Sequence, residues 1–434
     1  MKWLRRLLLL MLVSAVLLLG WLLVWLFFGT DSQQPTTPAM SKVAAATLRD
    51  PALIASGEYL VKVGDCAGCH AAQGGAAFAG GRLLATPFGN IPVPNITPDR
   101  ESGLGNWSFE DFWQALHSGK GRHGELLYPA FSYTSYTKVT HDDALAMFAY
   151  LQSLPPVHQP TAAPALDFPY SLRNSLTAWR ALYFKEGVFE SDPGQSAQWN
   201  RGAYLVQGLG HCNECHAARD TLGGTPQDEH LTGGQIPQQN WYAPDLSTQG
   251  NGGLQGWSEQ DIVDLLKTGQ SAKSVAFGPM ADVVVQSTQH MTDADLLAVA
   301  TYLHSLPARA QPLQEKPPFN ATALVQHGEQ IYTQRCADCH GKNGNGVTGV
   351  YPPLNGNSSV TEPTGINATR SVLLGGFAPL TVAHPRPYSM PPFAQQLSDS
   401  DVSAVVSYIR QAWTNKAPVV QERDVSKYRQ TPID

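Results

Sequence analysis

Three five-residue stretches carry the residue types that could do chemistry. They are Cys66-Ala67-Gly68-Cys69-His70, Cys212-Asn213-Glu214-Cys215-His216 and Cys336-Ala337-Asp338-Cys339-His340. Each reads Cys-x-x-Cys-His. Two thiols at this spacing can bond the two vinyl groups of one haem c from the same side. The adjacent imidazole then rises beneath the iron as an axial ligand. One copy alone would also fit a redox dithiol or half a zinc site. Here all 6 cysteines fall in the pattern, and none remains for a disulfide. The spacing predicts three covalent haems c, attached through Cys66, Cys69, Cys212, Cys215, Cys336 and Cys339. His70, His216 and His340 are the expected proximal ligands.

The elements that must position these groups repeat three times. A helix carrying Gly57 and Tyr59 leads to Cys66. One carrying Gly202 and Tyr204 leads to Cys212, and one carrying Gly328 and Tyr332 leads to Cys336. Gly- and Pro-rich loops follow the motifs and pass through Pro94, Pro244 and Pro352-Pro353. Their carbonyls are candidates to bond the proximal imidazoles. Middle helices open at Ser108 and Ser258, each with Asp at the third following position, and end at Gly119 and Gly269. Last helices start after Thr140, Thr292 and Ser398 and carry Tyr150, Tyr302 and Tyr408. The small residue on each first helix predicts close crossing of the last helix, with the tyrosine filling the contact.

The sixth iron position decides whether a haem carries electrons or binds ligands. Met390 is the only methionine of the third repeat and takes that role there. In the second, Met291 lies directly before the cap Thr292, where Val139 and Leu397 stand in the other repeats. That slot is an apolar staple, which leaves Met280 as the ligand. The first repeat places Phe131 in the ligand slot, and Met147 falls inside the last helix. His117, His123 and His141 are candidate substitutes, with His123 in the freest, Gly-rich loop. The first haem is therefore expected to be either bis-histidine or five-coordinate.

The remaining segments set the surroundings. Positions 7–28 form an apolar run about 33 Å long as a helix, enough to span a bilayer. Lys2, Arg5 and Arg6 precede it and place its start on the cytoplasmic side; Trp21, Trp25, Phe27 and Phe28 crowd the far end. The run is longer than the core of a signal peptide, and no small-x-small site follows it directly. The expected order is an anchor over 1–30, a linker over 31–50, haem units over 51–158, 197–308 and 324–415, an aromatic-rich connector over 159–196, a linker over 309–323 and a polar tail over 416–434. Charged residues make up only 15% of the chain, which carries 39 Gly and 32 Pro, as suits loops wrapped around an apolar cofactor. A net charge of -6 argues against nucleic acid as a partner. No nucleophile motif and no phosphate loop is present.

Beyond the haem motifs, Asn95-Ile96-Thr97-Pro98-Asp99, Trp107-Ser108 with Asp111-Phe112, and Leu127-Tyr128-Pro129-Ala130 resemble the triheme cytochrome c subunits of bacterial membrane-bound dehydrogenases. So do Trp199 to Val206 and Met291-Thr292-Asp293-Ala294-Asp295. The resemblance covers about 50–415. It implies a mainly α fold of three tandem class I cytochrome c domains after an N-terminal transmembrane helix. It implies a partner catalytic subunit of flavin, quinone-cofactor (PQQ) or molybdopterin type that oxidises an alcohol, sugar acid or aldehyde. Electrons would pass on to ubiquinone or a terminal oxidase. It also implies haem attachment outside the bacterial inner membrane, with the haem units facing the periplasm and lipid around the anchor. Many such subunits carry Met where this chain has Phe131. Versions with Phe look like those paired with molybdenum hydroxylase-type dehydrogenases. Many members also attach through a C-terminal amphipathic segment, whereas here the tail is polar. The same residues leave room for a carrier that docks directly to an oxidase, or for a peroxidase using an open first haem.

Overall fold

A computed structural model describes residues 43–226, 230–247, 253–307 and 321–430, with scattered helical positions between 3 and 20. Most of the expected anchor over 7–28 lies outside the described residues, as does the expected linker over 309–323 except for its last three residues, which open the first helix of the third repeat. Among the described residues no helix is long and apolar enough to cross a membrane.

The first repeat runs α1 (Pro51–Val63), α2 (Cys66–His70), a hairpin of β1 (Leu83–Thr86) and β2 (Gly89–Pro92), α3 (Phe109–Ser118), α4 (Tyr133–Tyr136) and α5 (His141–Ser153). The connector contributes β3 (Ala165–Leu166), which pairs with β2, and α6 (Leu176–Tyr183). The second repeat has α7 (Ala197–Tyr204), prolonged by a π-helical turn, β4 (Gly234–Ile236), β5 (Trp241–Ala243), α8 (Glu259–Thr268), α9 (Pro279–Gln286) and α10 (Asp293–His304). The third has α11 (Ala321–Arg335), α12 (Ala337–His340), α13 (Ser358–Thr361), α14 (Ile366–Leu374), the pair β6 (Gly376–Phe377) and β7 (Ser389–Met390), and α15 (Asp399–Gln411). A last helix, α16 (Glu422–Arg429), follows. All sheet pairings are antiparallel.

Each repeat is closed by its first and last helices crossing at a glycine. A Cβ on Gly57, Gly202 or Gly328 would lie 1.9, 1.9 or 2.0 Å from the carbonyl oxygen of Ala146, Ala298 or Ala404. It would also lie within 3 Å of Cβ of Tyr150, Tyr302 or Tyr408, one turn further on. The caps act as their sequence suggests. Ser108, Ser258 and Ser398 form reciprocal capping boxes with Asp111, Asp261 and Asp401. Thr140 and Thr292 accept from the N–H of Asp143 and Asp295.

The first two repeats share one hydrophobic core and grip each other reciprocally. The Tyr59 hydroxyl on α1 donates to Asp295 at 2.5 Å and accepts from the Thr292 N–H at the start of α10. The Tyr204 hydroxyl on α7 donates to Asp143 and accepts from the Thr140 N–H at the start of α5. Arg201 adds a two-pronged pair to Asp295 at 2.8 and 2.7 Å. Burial would raise the Asp295 pKa, but hydrogen bonds from Arg201 and Tyr59 outweigh it and hold the carboxyl below its ordinary range. The third repeat has its own core. It meets the second where the Asn367 side chain brackets the Tyr242 backbone at 2.9 and 2.7 Å, and where the Arg370 guanidinium lies 4.8 Å from the Trp241 ring centre.

Two segments differ from expectation. The loop expected after each of the first two motifs contains a short hairpin, whose strands are too brief to show alternation. The tail beyond 415 is polar in composition, yet α16 docks on α15. Val425 and Tyr428 enter the third core, and Arg429 pairs with Asp399 and donates to the Leu397 carbonyl at 2.9 Å. Two apolar side chains on an eight-residue helix leave no periodic signal.

The crossing and the tyrosine–aspartate grip can each be tested. Gly202→Ala forces α7 and α10 apart and lowers unfolding stability of the full chain by about 3 kcal/mol, measured by thermal denaturation. Asp295→Asn costs about 1–3 kcal/mol near neutral pH. Because the folded-state pKa of Asp295 is depressed, its contribution is present above the ordinary carboxylate range and is lost on acidification. The gap between wild type and variant should therefore close below about pH 4.

Candidate haem c sites

Each first helix stops just before its motif. Asp65 and His211, the residues preceding Cys66 and Cys212, take left-handed backbone angles with φ of 50° and 37°. This sharp turn swings the first cysteine off the helix axis. Burial pushes the Cys66 and Cys215 thiols up to about 12, and those of Cys212 and Cys336 to about 11. Thiols held protonated at neutral pH are poor redox nucleophiles and poor zinc ligands. Among the described residues no three His, Cys, Asp or Glu side chains group as a metal site.

The histidines share one geometry. Nδ1 of His70 lies 2.7 Å from the Pro94 carbonyl oxygen, Nδ1 of His216 lies 2.7 Å from that of Pro244, and Nδ1 of His340 lies 3.0 Å from that of Pro352. Burial lowers all three pKa values, which keeps the rings neutral. A neutral ring that donates its Nδ1 proton carries its lone pair on Nε2, the nitrogen a metal needs.

A glycine clamps each pair. The N–H of Gly80, Gly233 and Gly346 donates to the backbone carbonyl of His70, His216 and His340 at 2.8, 3.0 and 2.9 Å. All three have positive φ, and a Cβ on any of them would press on the proline-bearing strand at 2.2–2.7 Å. Reasoning from sequence misses these residues. They stand ten, seventeen and six residues after their histidines, so no fixed spacing marks them. The hairpins supply the proline carbonyls in the first two repeats, with Pro94 following β2 and Pro244 following β5.

A cavity of about 260 Å³ opens beside the second motif. Val206, Leu231 and Tyr302 give it apolar walls, while Pro129 of the first repeat and Trp179 of the connector close it. The paired thiols and the Nε2 lone pairs fit haem c, while the cavity beside the second motif is mixed in character, with Lys138, Glu214 and Arg219 alongside its apolar walls. The first two motifs also seat against the opposite repeat. Glu214 accepts from Thr134 and Ser135 on α4 at 3.2 and 3.3 Å, and α9 packs on α2. The connector straps both, with Arg173 donating to the Leu126 carbonyl at 2.6 Å and Trp179 to that of Leu222 at 3.0 Å.

The sixth-position candidates fall as follows. Met390 sits half-buried on β7, paired with Gly376. Met280 sits half-buried in the first turn of α9, and Met291 is buried in the shared core. The backbone register of the first two repeats matches. Leu127 donates to the Gly119 carbonyl and Ala276 to that of Gly269; four residues on stand Phe131, in the loop before α4, and Met280, in the first turn of α9. Met147 is buried within α5. His123 stands exposed in a turn over 121–124, while His117 and His141 pack around Trp113.

Comparison with known proteins agrees with this geometry. The cytochrome c family profile matches residues 54–155, 200–307 and 325–413. The chain is 40% identical over 405 residues to the cytochrome c subunit of alcohol dehydrogenase (quinone) from Gluconobacter oxydans, covering 88% of this chain and 83% of that one. It is 36% identical over 397 residues to the gluconate 2-dehydrogenase cytochrome c subunit of Pantoea cypripedii, covering 87% and 90%. It is 34% identical over 436 residues to the fructose dehydrogenase cytochrome subunit of Gluconobacter japonicus, covering 94% of this chain and 87% of that one. Three matched segments, each holding one Cys-x-x-Cys-His motif, place this mainly helical, haem-binding chain in the cytochrome c family.

Proposed function

We propose that the chain is a membrane-anchored, triheme electron conduit. It would accept electrons from the catalytic subunit of a dehydrogenase and pass them to ubiquinone or a terminal oxidase. The observation that carries this reading is the threefold recurrence of one imidazole clamp, His to proline carbonyl to glycine. The relatives add support, since they are cytochrome subunits of alcohol, gluconate and fructose dehydrogenases.

Bound haem c supplies a one-electron couple at each site. The chain's own residues bind it, orient it and set its surroundings. Cys66, Cys69, Cys212, Cys215, Cys336 and Cys339 attach the three macrocycles. His70, His216 and His340 would hold the irons from one side, and Met280 and Met390 would supply thioethers to the second and third. The first site lacks a thioether and holds the lowest potential, because a methionine ligand raises it. Basic Lys2, Arg5 and Arg6 ahead of the apolar run at 7–28 support an anchor in the bacterial inner membrane with the haem units facing the periplasm.

Mild detergent extraction of the native protein tests the partner. A co-purifying subunit with bound flavin, quinone cofactor or molybdopterin is expected; recovery of the cytochrome alone, or with an oxidase only, would contradict the dehydrogenase assignment. The clamp is tested separately by Gly233→Ala, which displaces the Pro244 carbonyl from His216. The histidine then loses basicity and the potential of the second haem rises. A hydrogen bond of about 1 kcal/mol corresponds to roughly 40 mV for one electron, read by spectroelectrochemistry with haem content unchanged.

A further inference from the structure

We infer that, on the triheme reading above, the first haem keeps an open sixth position that binds small neutral ligands such as carbon monoxide, and that Phe131 is the residue that leaves it open. Phe131, like Met280 in the second repeat, stands four residues after the hydrogen bond that closes the loop beyond the middle helix, in the slot where the sequence places the ligand. A phenyl ring has no lone pair to give to iron. It offers hydrocarbon where the second repeat presents a thioether, and so leaves the first iron without a ligand from this position.

Of the other possible donors of the first repeat, His117, His158 and Met147 are taken up by other contacts, His123 is exposed, and His141 is held among aromatic rings with its buried Nε2 unpartnered. His117 stacks on Trp113 with ring centres 4.6 Å apart, and its Nδ1 lies 3.0 Å from the Thr137 carbonyl oxygen. His141 lies edge-on to Phe109 and Trp113 on the same side of the helix pair. His158 lies 3.4 Å from Asp99. His123 projects from a closed turn. Gly121 donates to the Glu125 carbonyl at 2.8 Å, Gly124 to that of Gly121 at 2.9 Å, and the His123 N–H to the Glu125 carboxylate at 3.0 Å. Met147 is locked in the core of α5. The Tyr133 ring packs on Arg180 and Phe184 of the connector.

The surroundings of Phe131 also set the ligand class. Its ring meets that of buried Tyr136 at 5.5 Å. The Tyr136 hydroxyl is already spent on the Gly64 carbonyl at 3.0 Å, next to Cys66. The His211 ring packs on Tyr136 and its Nε2 lies 3.3 Å from the same carbonyl, so both polar groups there are taken up, and a neutral diatomic with little hydration to lose suits the place better than an anion. Binding is simple coordination: carbon monoxide donates its carbon lone pair to ferrous iron, no bond breaks and no electron is transferred.

The test uses the full-length, detergent-solubilised protein reduced with dithionite. Haem per chain is counted as the pyridine complex, and carbon monoxide is titrated while the Soret band is followed. We expect three haems and one carbon monoxide per chain. Phe131→Met should bind none and gain the thioether-to-iron charge-transfer band in its oxidised spectrum. His123→Ala should still bind one. Three haems with no carbon monoxide uptake would overturn this inference alone, as would equal uptake by wild type and Phe131→Met. Uptake gained only on His123→Ala would show that histidine to be the ligand and would overturn it too. Fewer than three haems per chain would overturn the triheme reading together with this one. If Phe131→Met does not fold, the stoichiometry of wild type and His123→Ala still decides.

Discussion

An imidazole that ligates iron must present one bare nitrogen and keep its plane fixed. In this chain that requirement is met by a hydrogen bond from Nδ1 to a proline carbonyl, made three times. Proline suits the task because its ring fixes φ and its own nitrogen has no hydrogen to satisfy. Its carbonyl is thereby held ready for an outside donor. The glycine opposite completes the arrangement by pinning the histidine backbone while leaving space for the strand. Burial then keeps the ring neutral, so the lone pair on Nε2 remains available.

Everything larger serves to hold these clamps in place. Helices crossing at a glycine bring the first and last helices of each repeat into direct contact. In the first two repeats the first helix of each is tied to the start of the other's last helix by a tyrosine–aspartate pair. A connector rich in aromatic side chains then straps the first repeat to the flank of the second motif. The third repeat stands more apart, joined by an asparagine that imitates a strand edge and by an arginine over a tryptophan. Two sites are thus embedded in one body of protein and the third is adjacent to it.

Much of this is legible in the residues. The motifs are short and covalently constrained, so type and spacing suffice. The caps at Ser108, Ser258 and Ser398 and the glycines at the crossings act locally, and their sequence signals survive folding. The proline carbonyls are legible as candidates because they follow the motifs in every repeat. The clamp glycines are not, since each partners a histidine across a loop of different length. The hairpins are hidden by their brevity. The docking of α16 is hidden because burying two side chains of eight leaves a polar composition. The sixth position of the first site is ambiguous in sequence for another reason. Several histidines lie near Phe131 along the chain, and only packing shows that His117 and His141 are turned to Trp113 while His123 faces solvent.

The most direct test is a spectroelectrochemical titration of the full-length protein, counting electrons from the haem c absorption. Three electrons per chain are predicted, with about a third of the amplitude titrating well below the rest because the first site has no thioether. Fewer than three electrons, or three equal steps at one high potential, would contradict the triheme conduit and its open first site.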